Sequence, residues 1–176
     1  MSIEFVRYID KTREYYHRQG YDRSYNWAHN ETSAFTPLSK PLSESRVMLI
    51  STAGFTLSPE GGFSESELKE LKKGGSNMGS YDLEVFPVPS DLAEDRIVYV
   101  VANHDTAQSD MADVNSYFPI ARLREFVAEG RLGSLATEFL RLKENYSQRK
   151  TMEVDAPEVL RRCREDNVDV ALLTPV

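Results

Sequence analysis

With 176 residues, 40% of them hydrophobic and 28% charged, the chain has the size and balance of one globular domain able to bury a core. A formal charge of −7 excludes a nucleic-acid binder that neutralises phosphates with a basic face, and Lys72-Lys73 and Arg161-Arg162 are both flanked by acids. No apolar run approaches the roughly 20 residues of a membrane span, the first residues lack the apolar core of a secretion signal, and the single Cys163 suits a reducing compartment, so the expectation is a cytoplasmic protein without membrane contact.

The first predicted element is a helix over residues 3–19, with Ile3, Val6, Ile9 and Tyr16 on a rough stripe and Gly20 as its stop. Residues 21–45 are rich in Asn, Ser, Pro and aromatics without a period, and they read as an ordered loop. Tyr21, Tyr25, Trp27 and Phe35 in it suit either packing, as a lid or subunit contact, or a surface for a cationic amine. Residues 1–45 thus form an arm, and residues 46–176 form the sheet core of a single domain.

Arg46–Ser51 is a nearly continuous apolar run closed by Thr52-Ala53-Gly54, as expected of a strand covered on both faces. Leu57–Met78 is glycine-rich around a short acidic helix at Ser64–Lys73. Its glycines lack the strand and the Lys-Ser/Thr ending of a phosphate loop. A second strand is expected over Arg96–Ala102, helices over Ile120–Glu129 and Ser134–Leu142, and a further helix starting near Asp155 as its N-cap, with Pro157 in its first turn. That last helix carries Ala156, Val159, Leu160 and Cys163 on its apolar stripe, which makes Cys163 a packing residue. A third strand follows at Val168–Thr174. The fold class is α/β: a largely parallel sheet flanked by helices, an incomplete doubly wound domain.

Ligands of open parallel sheets bind outside the carboxyl ends of the strands. The three expected strands end in Ser51-Thr52, in Asn103-His104-Asp105 and in Thr174-Pro175, so these groups converge on one cleft if the strands are parallel neighbours. His104 beside Asp105 is the acid/base candidate, because histidine titrates near neutrality; a histidine bonded to a loop carbonyl is the alternative. Ser51, Thr52, Asn103 and Thr174 are the substrate-binding candidates. Asp110, Asp113 and Asn115 offer oxygen ligands to a hard cation, but they lack the spacing of a calcium loop and serve equally as caps and turn formers. No metal is assigned.

Several segments taken in order resemble one family. They are Gly20-Tyr21 with Tyr25 and Trp27-Ala28, Phe35-Thr36-Pro37-Leu38, Lys40-Pro41-Leu42, Ser45-Arg46-Val47, Ser51-Thr52-Ala53-Gly54, His104, Phe118-Pro119, Arg122-Leu123 and Asp169–Val176. Together they are similar to the selenoprotein B subunits of the glycine/betaine/sarcosine/D-proline reductase family, over nearly the whole chain. The resemblance implies reductive cleavage of a carbon–nitrogen bond in a small amino acid or methylated amine, by a selenocysteine or cysteine nucleophile, within a homo- or hetero-oligomer that includes other reductase subunits. It also implies that the redox motif follows the Leu-Leu-Thr-Pro-Val segment directly. The expectation is therefore a front portion that ends at a selenocysteine codon, lacks the nucleophile and is inactive alone. The alternative is a non-catalytic small-ligand or scaffold domain that pairs with a separate catalytic chain. Sequencing the native gene past codon 176 separates these: an in-frame UGA followed by cysteine codons is expected, and another stop codon removes the redox reading.

Overall fold

The computed structural model describes residues 7–23, 31–32, 36–72, 84–100, 111–143 and 147–175. The chain divides into two compact units, Met1–Thr36 and Pro37–Val176. In the first, helix α1 spans Tyr8–Arg18 and ends where Gly20 turns into a left-handed conformation at φ +87°. Among its described residues none is buried, and its order comes from local pairs: Asp10 bridges Arg7 and Arg13, and Glu14 reaches Arg18.

The second unit holds the sheet. Strand β1 (Arg46–Ser51) lies at its centre, with every residue from Val47 to Ser51 buried, as its apolar composition requires. Strand β7 (Val170–Thr174) pairs with it in parallel over its whole length, from Val47↔Val170 to Ser51↔Thr174. On the other side of β1 run β5 (Ser134–Leu135) and β6 (Glu138–Leu142), both parallel to it. The register slips by two residues between them, from Val47↔Leu135 to Ile50↔Leu140. An even slip leaves every side chain on its own face, where an odd one would turn the strand inside out. Strand β3 (Val85–Pro89) pairs antiparallel with β6 and closes that edge. Its Pro87 and Pro89 can donate nothing to a further strand. The sheet is mixed and mostly parallel, and the α/β expectation is met.

Two helical layers cover the sheet. On one face Leu49, Val88 and Phe139 join Ile120 and Leu123 of α3 (Ile120–Ala128), together with Phe55, Tyr117 and Phe118, in the main core. Full burial of each phenylalanine contributes about 2 kcal/mol. On the opposite face Met48, Ile50, Ala136 and Leu140 pack against Val159 and Cys163. Those two belong to a long helical segment built from α4 (Gln148–Lys150), a wider π turn (Thr151–Asp155) and α5 (Ala156–Glu165). The short acidic helix α2 (Glu65–Lys72) falls within its expected span. Its start is a capping box, with Ser64 Oγ accepting from Glu67 N–H and Glu67 accepting from Ser64 N–H.

Three sequence expectations are corrected. Ser134–Leu142 forms strands β5 and β6 instead of a helix, because pairing to β1 and β3 outweighs the helix preference of Leu, Ala and Glu. The second expected strand is shorter, Ile97–Tyr99 (β4), and pairs antiparallel with β2 (Phe55–Leu57) in a separate two-stranded sheet. It is therefore not a neighbour of β1. Asp155 does not cap a helix start: it has helical φ and ψ, and Ser147 caps the segment instead by accepting from Lys150 N–H.

The amino end of β1 is held by ionic contacts. Asp166, just beyond α5, accepts from the Arg46 guanidinium at 2.6 Å and also from Thr137. Asp169, at the approach to β7, accepts from Arg46 N–H at 2.7 Å and pairs with Lys40 Nζ at 2.7 Å. Between these carboxylates Asn167 takes a left-handed turn, at φ 52°, which asparagine tolerates. Gly133 lies where a Cβ would come within 2.5 Å of the Glu44 carbonyl carbon, so only glycine lets the chain pass beneath residues 44–45 and begin β5.

Partial burial would raise the Asp166 carboxyl, but hydrogen bonds from Thr137 N–H, Arg46 and Thr137 Oγ1 outweigh it and hold the group below the ordinary range. Asp169 is lowered first by the Arg46 N–H and then by Lys40. Since folded values lie below unfolded ones near about 3.9, both groups stabilise the fold fully above that pH. The benefit is lost as pH falls through the unfolded value towards the folded one. Asp166→Asn is expected to cost about 2 kcal/mol at neutral pH and to flatten the acid limb of a melting-temperature profile. A profile parallel to that of the unaltered chain would exclude this role.

Candidate functional site at the carboxyl ends of the parallel strands

The register brings Ser51, Arg141 and Thr174 into one row across three adjacent strands, with Ser51↔Arg141 on one side and Ser51↔Thr174 on the other. Partnered residues of neighbouring strands share a face, so the row points to the same side as Leu49 and Phe139. Beyond it the chain leaves β1 through Thr52-Ala53-Gly54, and Thr52 N–H donates to the Thr174 carbonyl at 3.4 Å. Ser51, Thr52 and Thr174 are thus brought together at one end of the sheet.

Their surroundings differ. Ser51 is 1% exposed, donates from Oγ to the Tyr117 carbonyl at 2.8 Å, and accepts there from Ala53 N–H at 3.1 Å. Its hydroxyl fastens the turn after β1 to the segment before α3. Thr52 and Thr174 are half-buried at the rim. Arg141 is fully buried, with its guanidinium carbon 5.6 Å from the centre of the Phe86 ring, its cross-strand partner. A guanidinium has five donors in a fixed fork and keeps its charge at any physiological pH. Tyr117, 2% exposed, packs against Phe55 and Tyr99, and burial first, then Tyr99 and Asp113, push its hydroxyl up to about 12. It remains a neutral donor at neutral pH.

Sequence reasoning missed Arg141 because it lay inside the segment read as a helix. The available signal was one arginine within the otherwise apolar run Phe139-Leu140-Arg141-Leu142, which in a central strand is a buried charge. Asn103, His104, Asp105 and Asp110 lie outside the described residues, as do Tyr25, Trp27 and Phe35 of the aromatic group. Tyr21 is exposed and meets Tyr16 edge to face, with ring centres 5.7 Å apart. Asp113 and Asn115 act as turn and cap residues. Asp113 accepts from Asn115 N–H at 2.9 Å, the Asn115 amide reaches Glu94, and Asn115 Oδ1 accepts from Ala121 and Arg122 N–H at the start of α3. Among the described residues no group of three or more His, Cys, Asp or Glu side chains is placed to hold a metal ion.

Cys163 occupies the opposite face of the sheet, with its Sγ 3.4 Å from Met48 Sδ. Burial, then Asp166, raise its pKa above the ordinary thiol value. A thiol attacks as thiolate, so this position is the reverse of an activated one. A cavity of about 260 Å3 lies between α5 and the sheet beside Met48 and Leu140. Its arginines are already committed: Arg161 to Glu158 and Glu165, Arg162 to Glu158 and Glu138. The pair draws Glu158 down to about 2.

The fold and the polar row define an α/β domain with a polar row at the carboxyl ends of its parallel strands. The chain is similar to the D-proline reductase subunit gamma of Acetoanaerobium sticklandii, with 26% identity over 141 residues, 80% of this chain. It spans about half of that relative, 52% of its length. No family model and no solved structure matches. The similarity supports a relation to a reductase family. No described helix is long and apolar enough to cross a membrane.

The position of Cys163 predicts that at neutral pH it reacts with a soluble disulfide reagent at least about tenfold more slowly in the folded chain than in urea. Equal rates would mean that the thiol is accessible and ionises as in the unfolded chain, against a buried packing role.

Proposed function

We propose that this chain is the substrate-holding part of a reductase that cleaves a carbon–nitrogen bond in a small amino acid or methylated amine, of the glycine, sarcosine, betaine or D-proline type. The observation that carries the reading is the row Ser51–Arg141–Thr174 at the carboxyl ends of β1, β6 and β7. All four substrate types bear a carboxylate. Arg141 supplies a fixed positive charge at the end of the sheet where α/β folds bind ligands. The rim threonines, Thr52 and Thr174, supply hydroxyls that orient the bound molecule. His104 and Asp105 follow β4 in the chain and are assigned proton transfer to the departing amine, and Asn103 is assigned a substrate contact.

Reductive cleavage requires two electrons, and in this reading a selenol or thiol system outside these 176 residues supplies both the nucleophile and the electrons. Cys163 is unsuited to the task, held against Met48 with a raised pKa. The same fact favours a second reading, a ligand-binding domain that partners a separate catalytic chain. Both readings share the site, and the similarity to a subunit of a reductase supports other reductase subunits as partners.

Calorimetric titration of the chain tests the site without turnover. D-Proline, sarcosine, glycine or betaine is expected to bind, whereas pyrrolidine, which has the ring amine but no carboxylate, is not. Arg141→Lys is expected to weaken binding about tenfold or more, because a point charge replaces a planar fork. Arg141→Gln should abolish binding, with circular dichroism confirming the fold. Equal affinity for D-proline and pyrrolidine, or unaltered binding by Arg141→Lys, would remove the carboxylate assignment.

A further inference from the structure

Tyr117 carries a hydroxyl that packing alone does not require. The residue is 2% exposed, and a phenylalanine would fill the same space against Phe55 and Tyr99. A buried tyrosine ordinarily gives its hydroxyl a hydrogen-bond partner, because desolvating an unpaired one costs free energy. Among the described residues the Tyr117 hydroxyl has none. The hydrogen bonds of the residue run through its backbone: its carbonyl accepts from Ser51 Oγ at 2.8 Å, and its N–H donates to the Val114 carbonyl at 3.2 Å.

The side chain is also fixed in place. Those two bonds tie its backbone, and its ring is held by Phe55, with centres 6.2 Å apart, and by Tyr99, at 5.2 Å. Ser51 joins it to the polar row, bonding to Tyr117 through Oγ while lying opposite Arg141 in the strand register. The electrostatic setting is the reverse of that at Arg141. After burial and Tyr99, the Asp113 carboxylate helps to keep the proton on the hydroxyl, so a negative field reaches this oxygen. A neutral phenol there keeps its lone pairs available as acceptors.

We propose that the Tyr117 hydroxyl accepts a hydrogen bond from the amine N–H of the bound substrate and so selects among its methylated forms. The inference rests on the carboxylate site proposed at Arg141 and assigns the opposite pole of the same molecule. In an α-amino acid the nitrogen is bonded to the carbon that bears the carboxylate, so the group that meets it belongs to the immediate surroundings of the row. Protonated glycine, sarcosine and D-proline all carry N–H donors, whereas the quaternary nitrogen of betaine carries none. A hydroxyl that lacks a partner in the fold gains one from the first three and stays unpaired beside the fourth. Leaving a buried polar group unpaired is the stronger source of discrimination, because its desolvation is then uncompensated.

Calorimetric titration with N,N-dimethylglycine and with betaine tests this, since both bear the carboxylate and they differ by the last N–H. The unaltered chain is expected to bind N,N-dimethylglycine about tenfold or more tightly than betaine, the effect of one hydrogen bond from a charged donor. Tyr117→Phe should bring the two affinities within about twofold of each other, at an unchanged melting temperature, because the lost hydroxyl has no partner in the fold. Equal affinities in the unaltered chain, or tighter binding of betaine, would overturn the proposal whether or not the variant folds. So would a preference that persists in Tyr117→Phe, because the extra methyl would then be rejected by shape. Binding that Arg141→Lys weakens, without any N–H preference, would keep the carboxylate site and remove the tyrosine. Failure of every carboxylate compound to bind would remove both.

Discussion

The parallel pairing of β1 with β7 joins the two ends of the second unit and places everything else. Strands parallel in a sheet have no hairpin between them, so the closure of residues 46 to 174 carries a loop-entropy cost that local contacts cannot offset. The offset comes from burial on both sides of β1: an aromatic and aliphatic core against α3 on one face, and an aliphatic layer under α5 on the other. Ionic contacts at the amino end fix the register. Arg46 holds both Asp166 and Asp169, so α5 cannot deliver β7 one residue early or late without breaking them.

That register decides the chemistry available at the other end. With Val47 opposite Val170, Ser51 falls opposite Thr174, and β6 sets Arg141 beside them. A slip of one residue would send Arg141 to the α5 face and a leucine to the row. The two ends of the sheet thus differ in chemistry: ionic contacts tie the amino end, and the carboxyl end carries buried Ser51 and Arg141 beside half-buried Thr52 and Thr174. Ser51 also has a structural part, since its hydroxyl ties β1 to Tyr117 and so sets the position of α3 relative to the row.

The division of labour agrees with the place of Cys163. A protein that carried its own redox nucleophile here would need a thiolate near the row, in an electropositive setting. The thiol instead fills a gap beneath α5, where methionine sulfur is its neighbour and a nearby carboxylate disfavours its ionisation. The polar row lies on one face and the lone thiol on the other. That separation follows from alternation along β1, which points Met48 and Ser51 to opposite sides.

By itself the sequence determined the elements whose pattern is local: the apolar run of β1, the acidic helix with its Ser64–Glu67 box, α3 after Phe118-Pro119, and the helix-then-strand order that ends in β7. It also determined that Cys163 packs, since its spacing from Val159 puts both on one helix face. What it could not decide is partnership. Residues 134–142 have the composition of a helix and become strands only because β1 and β3 lie on either side of them. Residues 97–99 have the composition of a central strand and pair instead with Phe55–Leu57. The capacity of Arg141 to be a buried charge at a strand end resides in contacts between segments far apart in the chain. Periodicity reports which residues of a segment face the same way; only the tertiary pairing decides what they face.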